Sequence, residues 1–405
     1  MVSNQKKYKK ELIIVLLILL FITQAFTDIY VSGLPIMAHD FSVSPAQMNQ
    51  TITYYVYSQA FLFLIIGPIS DIFGRKRVIV ITLFCSLIST FIIAESSNLN
   101  IILIFRIFQA FGSAGVYIVS RLIIKEVYDK EEVLSVTGLF LLGLVLSPAL
   151  APVVGAFIIK HLDWRWTFRL LGILLSIFWL LSIKIIKESN NQINTYRSQF
   201  NLKTIINNYI HVLCNWLFIR YVLVVGGTFA SFYAFISMSS YMYINEYHIS
   251  EIYYSYLFTI IAIGYLVGNK IMVFYSKRNV GPYQLVLIGI VLGVIVIVLT
   301  ILSIFLRHEI ILFILLITFT GWITRLATAF INPPIQVGVL TIFNDKGSFA
   351  VGLLSSLQYV FAAFGSWFVG FLKYEPSMNI IISTIVFTLL TIASFVLLKI
   401  KDISA

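Results

Sequence analysis

Gly67-Pro68-Ile69-Ser70-Asp71-Ile72-Phe73-Gly74-Arg75-Lys76, followed by Arg77, stands between two apolar runs, each long enough to cross a bilayer. An acid, two glycines and a basic cluster in so short a connection read as a hinge at the membrane surface. The membrane setting follows from composition: of 405 residues, 60% are hydrophobic and 11% charged. A soluble domain of that balance has nowhere to hide its apolar surface. Windows of about 20 apolar residues place helices near 12–37, 46–69, 78–95, 99–121, 133–160, 164–187, 216–244, 251–276, 282–306, 309–334, 347–371 and 377–399. The expected fold is therefore all-α and integral to the membrane, with about 12 transmembrane helices.

Lys and Arg set the orientation. Twenty fall in connections on the side of the Arg75 loop, five on the other side, and Arg106, Lys270 and Arg325 fall within spans. The positive-inside bias puts both termini in the cytoplasm. Basic residues that edge membrane helices also account for the net charge of +11 without a nucleic-acid partner, and none is expected. The basic start Lys6 to Lys10 before an apolar run has the look of a secretory signal. The run is too long and continues through Asp28 without a small-residue cleavage site, so it reads as a retained first helix. Cys85 and Cys214 sit in or beside apolar helices and imply neither disulfide nor metal.

One long polar connection, 188–215, divides the spans into an N-terminal set (1–187) and a C-terminal set (216–405) of about six helices each, as expected of two halves joined by a cytoplasmic linker. A faint echo agrees with duplication: Gly67 precedes Lys76-Arg77 by the intervals at which Gly268 precedes Lys277-Arg278.

Charges inside helices are the natural functional candidates, since each costs roughly 2.5–3.5 kcal/mol on insertion scales unless paired or wet. Asp28, about 24 Å along the first helix, and Arg106 in the fourth share the outer half of the membrane. Such a pair can break when the acid takes up a proton or meets a substrate; a static ion pair locking two helices is the other possibility.

The surrounding residues carry a resemblance. The Gly67–Lys76 stretch resembles the loop between helices 2 and 3 of the major facilitator superfamily, G-x-L-x-D-R-x-G-R-K, with Ile72 where that family often has Arg. Asp28-Ile29-Tyr30-Val31-Ser32-Gly33-Leu34-Pro35 is similar to the D-x-Y-x-P-A-L-P segment of the Bcr/CflA group of drug:proton antiporters. Arg106-Ile107-Phe108-Gln109-Ala110-Phe111-Gly112 resembles the helix-4 motif R-x-x-Q-G. Gly138, Gly143 and Ser147-Pro148-Ala149-Leu150-Ala151-Pro152-Val153-Val154-Gly155-Ala156 resemble the exporter motif G-P-x-x-G-G of helix 5, and Asp163 to Phe168 the entry to helix 6. The resemblance implies a major facilitator fold of two six-helix bundles and proton coupling by Asp28 and Arg106. It also implies gating by Gly67, Asp71, Gly74, Arg75, Lys76 and Arg77, and a compliant fifth helix built on Ser147, Pro148, Pro152 and Gly155 at the contact between halves. Small residues allow close helix approach, and each proline removes a backbone hydrogen bond. Asp71 and Arg75 also admit a plainer reading as a solvated loop; for a latch, Arg75 has Glu126, Asp129, Glu131 and Glu132 to choose from.

Tyr30, Gln59, Gln109, Tyr117, Tyr233, Tyr241, Arg325, Asn332 and Gln358 are candidates for a central cavity, although each alone can be a helix contact. Arg325, deep in the tenth span, can line the cavity, bind carbonyls or snorkel. No phosphate-cradling loop or metal-spaced His or Cys set appears, so no enzyme, cofactor or metal is expected, and energy must come from an ion gradient. The reading is a monomeric, proton-coupled exporter of small amphipathic compounds in a bacterial inner membrane, with protons, a small-molecule substrate and the lipid bilayer as its partners. A carrier dedicated to one metabolite such as a siderophore, sugar or amino acid, and a non-transporting receptor or scaffold, are the alternatives.

Overall fold

A computed structural model describes residues 2–190, 193, 202–278, 280–343 and 347–397. Among them the chain is helical and holds 12 helices long and apolar enough to cross a membrane. The elements are α1 (Val2–Asp28), α2 (Leu34–Asp40), α3 (Pro45–Phe73), α4 (Arg75–Glu95), α5 (Leu99–Val127), α6 (Lys130–His161), α7 (Arg165–Ile185), α8 (Leu202–Leu213), α9 (Trp216–Ser240), α10 (Glu251–Ser276), α11 (Pro282–Phe305), α12 (Ile310–Ile342), α13 (Gly347–Phe371) and α14 (Pro376–Val396). Part of the expected linker 188–215 lies outside the described residues, and its described part includes α8.

Local chemistry explains the boundaries. Asn98 and Asn215 cap α5 and α9, their side-chain oxygens accepting from Asn100 N–H and from Leu217 and Phe218 N–H. The first span, expected as one helix over 12–37, is broken: α1 ends at Asp28, Val31–Gly33 form a 3₁₀ turn, and α2 resumes at Leu34. Pro35 lacks the N–H that an unbroken helix would send back to Val31, and Gly33 offers little helical preference. The break falls directly after the candidate coupling acid.

The chain forms two compact units, Met1–Phe41 with Phe61–Asn201, and Ser42–Ala60 with Leu202–Ala405, so α3 runs through both. In the first, α1 packs on α6, α4 on α5, and α7 on α4 and α1; in the second, α9 packs on α13, α11 on α12, and α14 on α11 and α9. Numbered by span, the same partners recur, which is the duplication that the Gly268 echo only hinted at. It reaches single residues. A Cβ on Gly155 of α6 would run into the carbonyl oxygen of Ile29, just past the end of α1, and one on Gly365 of α13 into that of Ala230 of α9. Only glycine lets the first and fifth helices of each set lie this close.

Candidate functional site

In the first unit the coupling candidates meet the fifth-span motif. Asp28, 5% exposed, stands at the last position of α1, and Ser147 on α6 donates its hydroxyl to the Asp28 carboxylate at 2.7 Å. Gly155 holds the two backbones together there, and a Cβ on Gly143 would stand 2.6 Å from the Leu17 carbonyl oxygen further along the same contact. Gly143 and Gly155 of α6 thus both pack against the first span of their own unit. Pro148 and Pro152 lie within α6, each removing one rung of its hydrogen-bond ladder.

Arg106 is fully buried. Its guanidinium donates to the Phe26 carbonyl at 2.8 Å, to Gln109 Oε1 at 2.6 Å and to the Tyr30 hydroxyl at 2.7 Å, and lies 4.6 Å from the centre of the Tyr30 ring. Phe26 and Tyr30 stand two residues before and after Asp28, so Arg106 grips α1 on both sides of the acid. Gln109 in turn donates to Thr90 Oγ1 at 2.9 Å, tying the set to α4. Two of the cavity candidates, Tyr30 and Gln109, are thereby placed as partners of Arg106.

At the other end of the same helices, Arg75 is 4% exposed, which removes the solvated-loop reading for it. Its guanidinium meets Asp71 at 2.6 Å, Glu126 at 2.9 and 3.1 Å, and the Ser70 hydroxyl at 2.6 Å. Of the acids open to Arg75 whose side chains are described, Glu126 is the one it takes; Asp129 and Glu132 bind Lys9 instead, at 2.8 and 2.6 Å, and the side chain of Glu131 lies outside the described residues. Tyr128 donates its hydroxyl to the Lys9 carbonyl, and burial pushes its phenol up to about 12, so it stays a donor. Lys76 is half-buried and Arg77 exposed.

One partner escaped sequence reasoning. Glu188, just beyond α7, places its carboxylate on the first turn of α4, accepting from Arg75 N–H at 2.9 Å and Lys76 N–H at 3.2 Å. A negative charge at a helix N-terminus satisfies free donors and the dipole together. Gly74 makes room: at φ +94° and ψ 149° it occupies a region essentially confined to glycine, and a Cβ would strike the Glu188 carboxylate. Asn190 adds a bond to the Asp71 carbonyl at 3.0 Å. The signal in the sequence was an acid following a span and facing a basic helix start, but 113 residues separate the partners.

In the second unit, Thr53 and Ser237 each bond the Ser366 hydroxyl, at 2.8 and 2.7 Å. Gln59, Tyr233, Tyr241, Asn332 and Gln358 are buried. Asn332 Oδ1 and Gln358 Nε2 have no hydrogen-bond partner among the described residues, a condition costing about 1–3 kcal/mol each until a partner arrives. Arg325 stacks on Phe232 and Tyr265, 3.8 and 4.9 Å from the ring centres. Tyr117, in the first unit, faces Phe63 and the Arg121 guanidinium.

Comparison with known proteins bears on these geometries. The chain is 26% identical over 255 residues to the bicyclomycin resistance protein homolog of Haemophilus influenzae, covering 63% of this chain and 64% of that protein. It is 30% identical over 162 residues to the multidrug resistance protein MdtL of Salmonella paratyphi B, covering 40% and 41%. The matches thus span less than two thirds of those relatives. Solved structures of the nucleoside transporter NupG (TM-score 0.72, 13% identity, 95% of this chain and 98% of that one) and of a D-xylose-proton symporter (0.69, 16%, 95% and 97%) share the fold. Residues 16–244 match the family model of the Major Facilitator Superfamily, and with its twelve spans and the duplicated packing of its helices, this chain belongs to that superfamily of membrane transporters.

Proposed function

We propose that the protein is a proton-coupled exporter of small amphipathic compounds, a monomer in a bacterial cytoplasmic membrane with both termini inside. Its halves, 1–187 and 216–405, joined by 188–215, alternate access to a cavity. The observation that carries this reading is the contact of Asp28 with Ser147. A carboxylate at the end of a broken helix, touching the fifth span and flanked by the anchors of Arg106, can change what holds α1 when it gains or loses a proton. Protonation removes the negative charge to which Ser147 donates. α1 is then held less firmly to α6, and a rocking step becomes possible. The names of the relatives, resistance to bicyclomycin and to multiple drugs, favour export. Asp28→Asn keeps the size and removes the exchangeable proton. In proteoliposomes it is expected to abolish uphill, proton-driven export while downhill exchange of substrate persists; full uphill export by the variant overturns the assignment.

A further inference from the structure

α8 stands in the connection expected to be polar, yet it carries an apolar stripe. Its 12 residues reach about 18 Å at about 1.5 Å per residue, well short of the roughly 20 residues that cross a bilayer. At the helical period its apolar side chains form one broad arc, and the structure divides that arc in two. Ile205, Tyr209 and Val212 occupy the inner half, where α8 packs on α9 and α13: Val212 is buried, the other two are half-buried, and the Tyr209 ring meets Phe349 of α13 edge-on, 5.5 Å between centres. Ile206, Ile210 and Leu213, spaced by four and three residues, form the outer half and are 47, 50 and 38% exposed. Asn207 and His211, both exposed, lie on the polar side of the helix.

Two anchors fix the level at which α8 lies. Leu213 is separated by only two residues from Trp216, the first residue of the seventh span, and Phe349, which Tyr209 touches, is the first residue of the eleventh. Six and ten crossings precede them, so both span starts lie on one side of the bilayer and hold the C-terminal half of α8 at its boundary. The extended backbone of Asn215 (φ −79°, ψ 115°) turns the chain out of the α9 axis, so α8 does not continue that helix. Trp216, 61% exposed, extends the stripe three residues beyond Leu213 and is the residue type that settles at headgroup level. Charge agrees with a lipid surface: no Asp or Glu falls between Glu188 and Glu246, whereas Arg197, Lys203 and Arg220 do, the balance that an anionic leaflet attracts. Three half-exposed side chains offer far less than the about 800 Å² per partner of a stable protein interface.

We propose that α8 lies in the plane of the membrane interface, with Ile206, Ile210 and Leu213 sunk about 5–10 Å into the leaflet on the side of the termini, the inner one in the orientation proposed above. The connection between the two sets of spans is thereby held by lipid. The test uses the full-length chain carrying Cys85→Ser and Cys214→Ser, with one of Ile206→Cys, Ile210→Cys, Asn207→Cys or His211→Cys at a time. Each is labelled with bimane in nanodiscs of phosphatidylethanolamine and phosphatidylglycerol. Its fluorescence is quenched either by aqueous iodide or by a phospholipid with a nitroxide high on the acyl chain. At the two isoleucine positions the lipid nitroxide is expected to quench at least about twofold more strongly than at Asn207 and His211, with the opposite order for iodide. Iodide access equal at all four positions would put the stripe in water, shelter of the isoleucine positions from both quenchers would put it against protein, and equal lipid quenching at all four would leave the helix without a fixed face. Any of these results overturns the proposal. The readout involves neither cargo nor proton coupling, so its outcome is independent of the export reading.

Discussion

Ser147 donates a hydrogen bond to Asp28 across 119 residues of sequence, 2.7 Å from oxygen to oxygen, joining the fifth-span exporter motif to the first-span acid. The two motifs that separately suggested a proton-coupled exporter are one site. The glycine of that motif serves the same contact, because Gly155 brings the α6 backbone against the carbonyl of Ile29, the residue after Asp28.

Ser147→Ala deletes a charge-assisted hydrogen bond of a kind worth about 1.5–3 kcal/mol. Proton-driven export is expected to fall by about tenfold or more, with Ser147→Thr restoring most of it. Initial rates under an imposed pH gradient measure this, and an Ala variant as active as wild type would separate the serine from coupling.

Gly155→Ala places a methyl group where the Ile29 carbonyl stands, and no rotamer can relieve a clash with backbone. A loss of about 1–3 kcal/mol is expected, together with a displaced Asp28. Thermal unfolding of the detergent-solubilised protein reports the first and proton-driven export the second. Gly138, whose Cβ would meet nothing within 4 Å, should accept alanine without either effect.

Glu188→Gln should loosen the first turn of α4, since the neutral amide serves the helix dipole less well than the carboxylate. Hydrogen exchange at Arg75 to Val78 is expected to quicken with little change elsewhere in α4. Gly74→Ala should do the same and cost about 1–3 kcal/mol in backbone strain as well. Unchanged exchange in both variants would mean that the carboxylate does not hold the helix start.

Lys9 holds the Asp129 carboxyl below the usual carboxylate range, chiefly through its hydrogen bond. A depressed carboxylate contributes stability that is complete above its unfolded value near ~4 and is lost as pH falls through the folded value. Docking of the α1 start on the turn at Tyr128–Asp129 should therefore survive neutral pH and loosen below about pH 4. Fluorescence from a label near residue 8 would follow it, and Lys9→Ala should loosen the docking at all pH values.

Membrane character, about twelve spans and the family were legible in the sequence because they depend on local quantities. An apolar stretch of sufficient length must be a helix in lipid, as its backbone has no other partner there, and the Gly67–Lys76 and Ser147–Gly155 wording is contiguous. Single-residue chemistry was legible too: a buried-side acid at Asp28, glycines where backbones crowd, a cation at Arg325. What only the tertiary structure decided were the pairings between distant helices. Arg75 had several acids within plausible reach, and its pairing with Glu126 followed from how α4 lies on α5. Glu188 looked like the start of a polar linker until folding brought it to the N-terminus of α4. The break after Asp28 depended on packing as well as on Pro35, since proline alone permits either a kink or an interruption. Helix periodicity states which face a side chain occupies, but the partner across that face is fixed by side-chain packing over the whole bundle, and such packing has no signature in any short stretch of sequence.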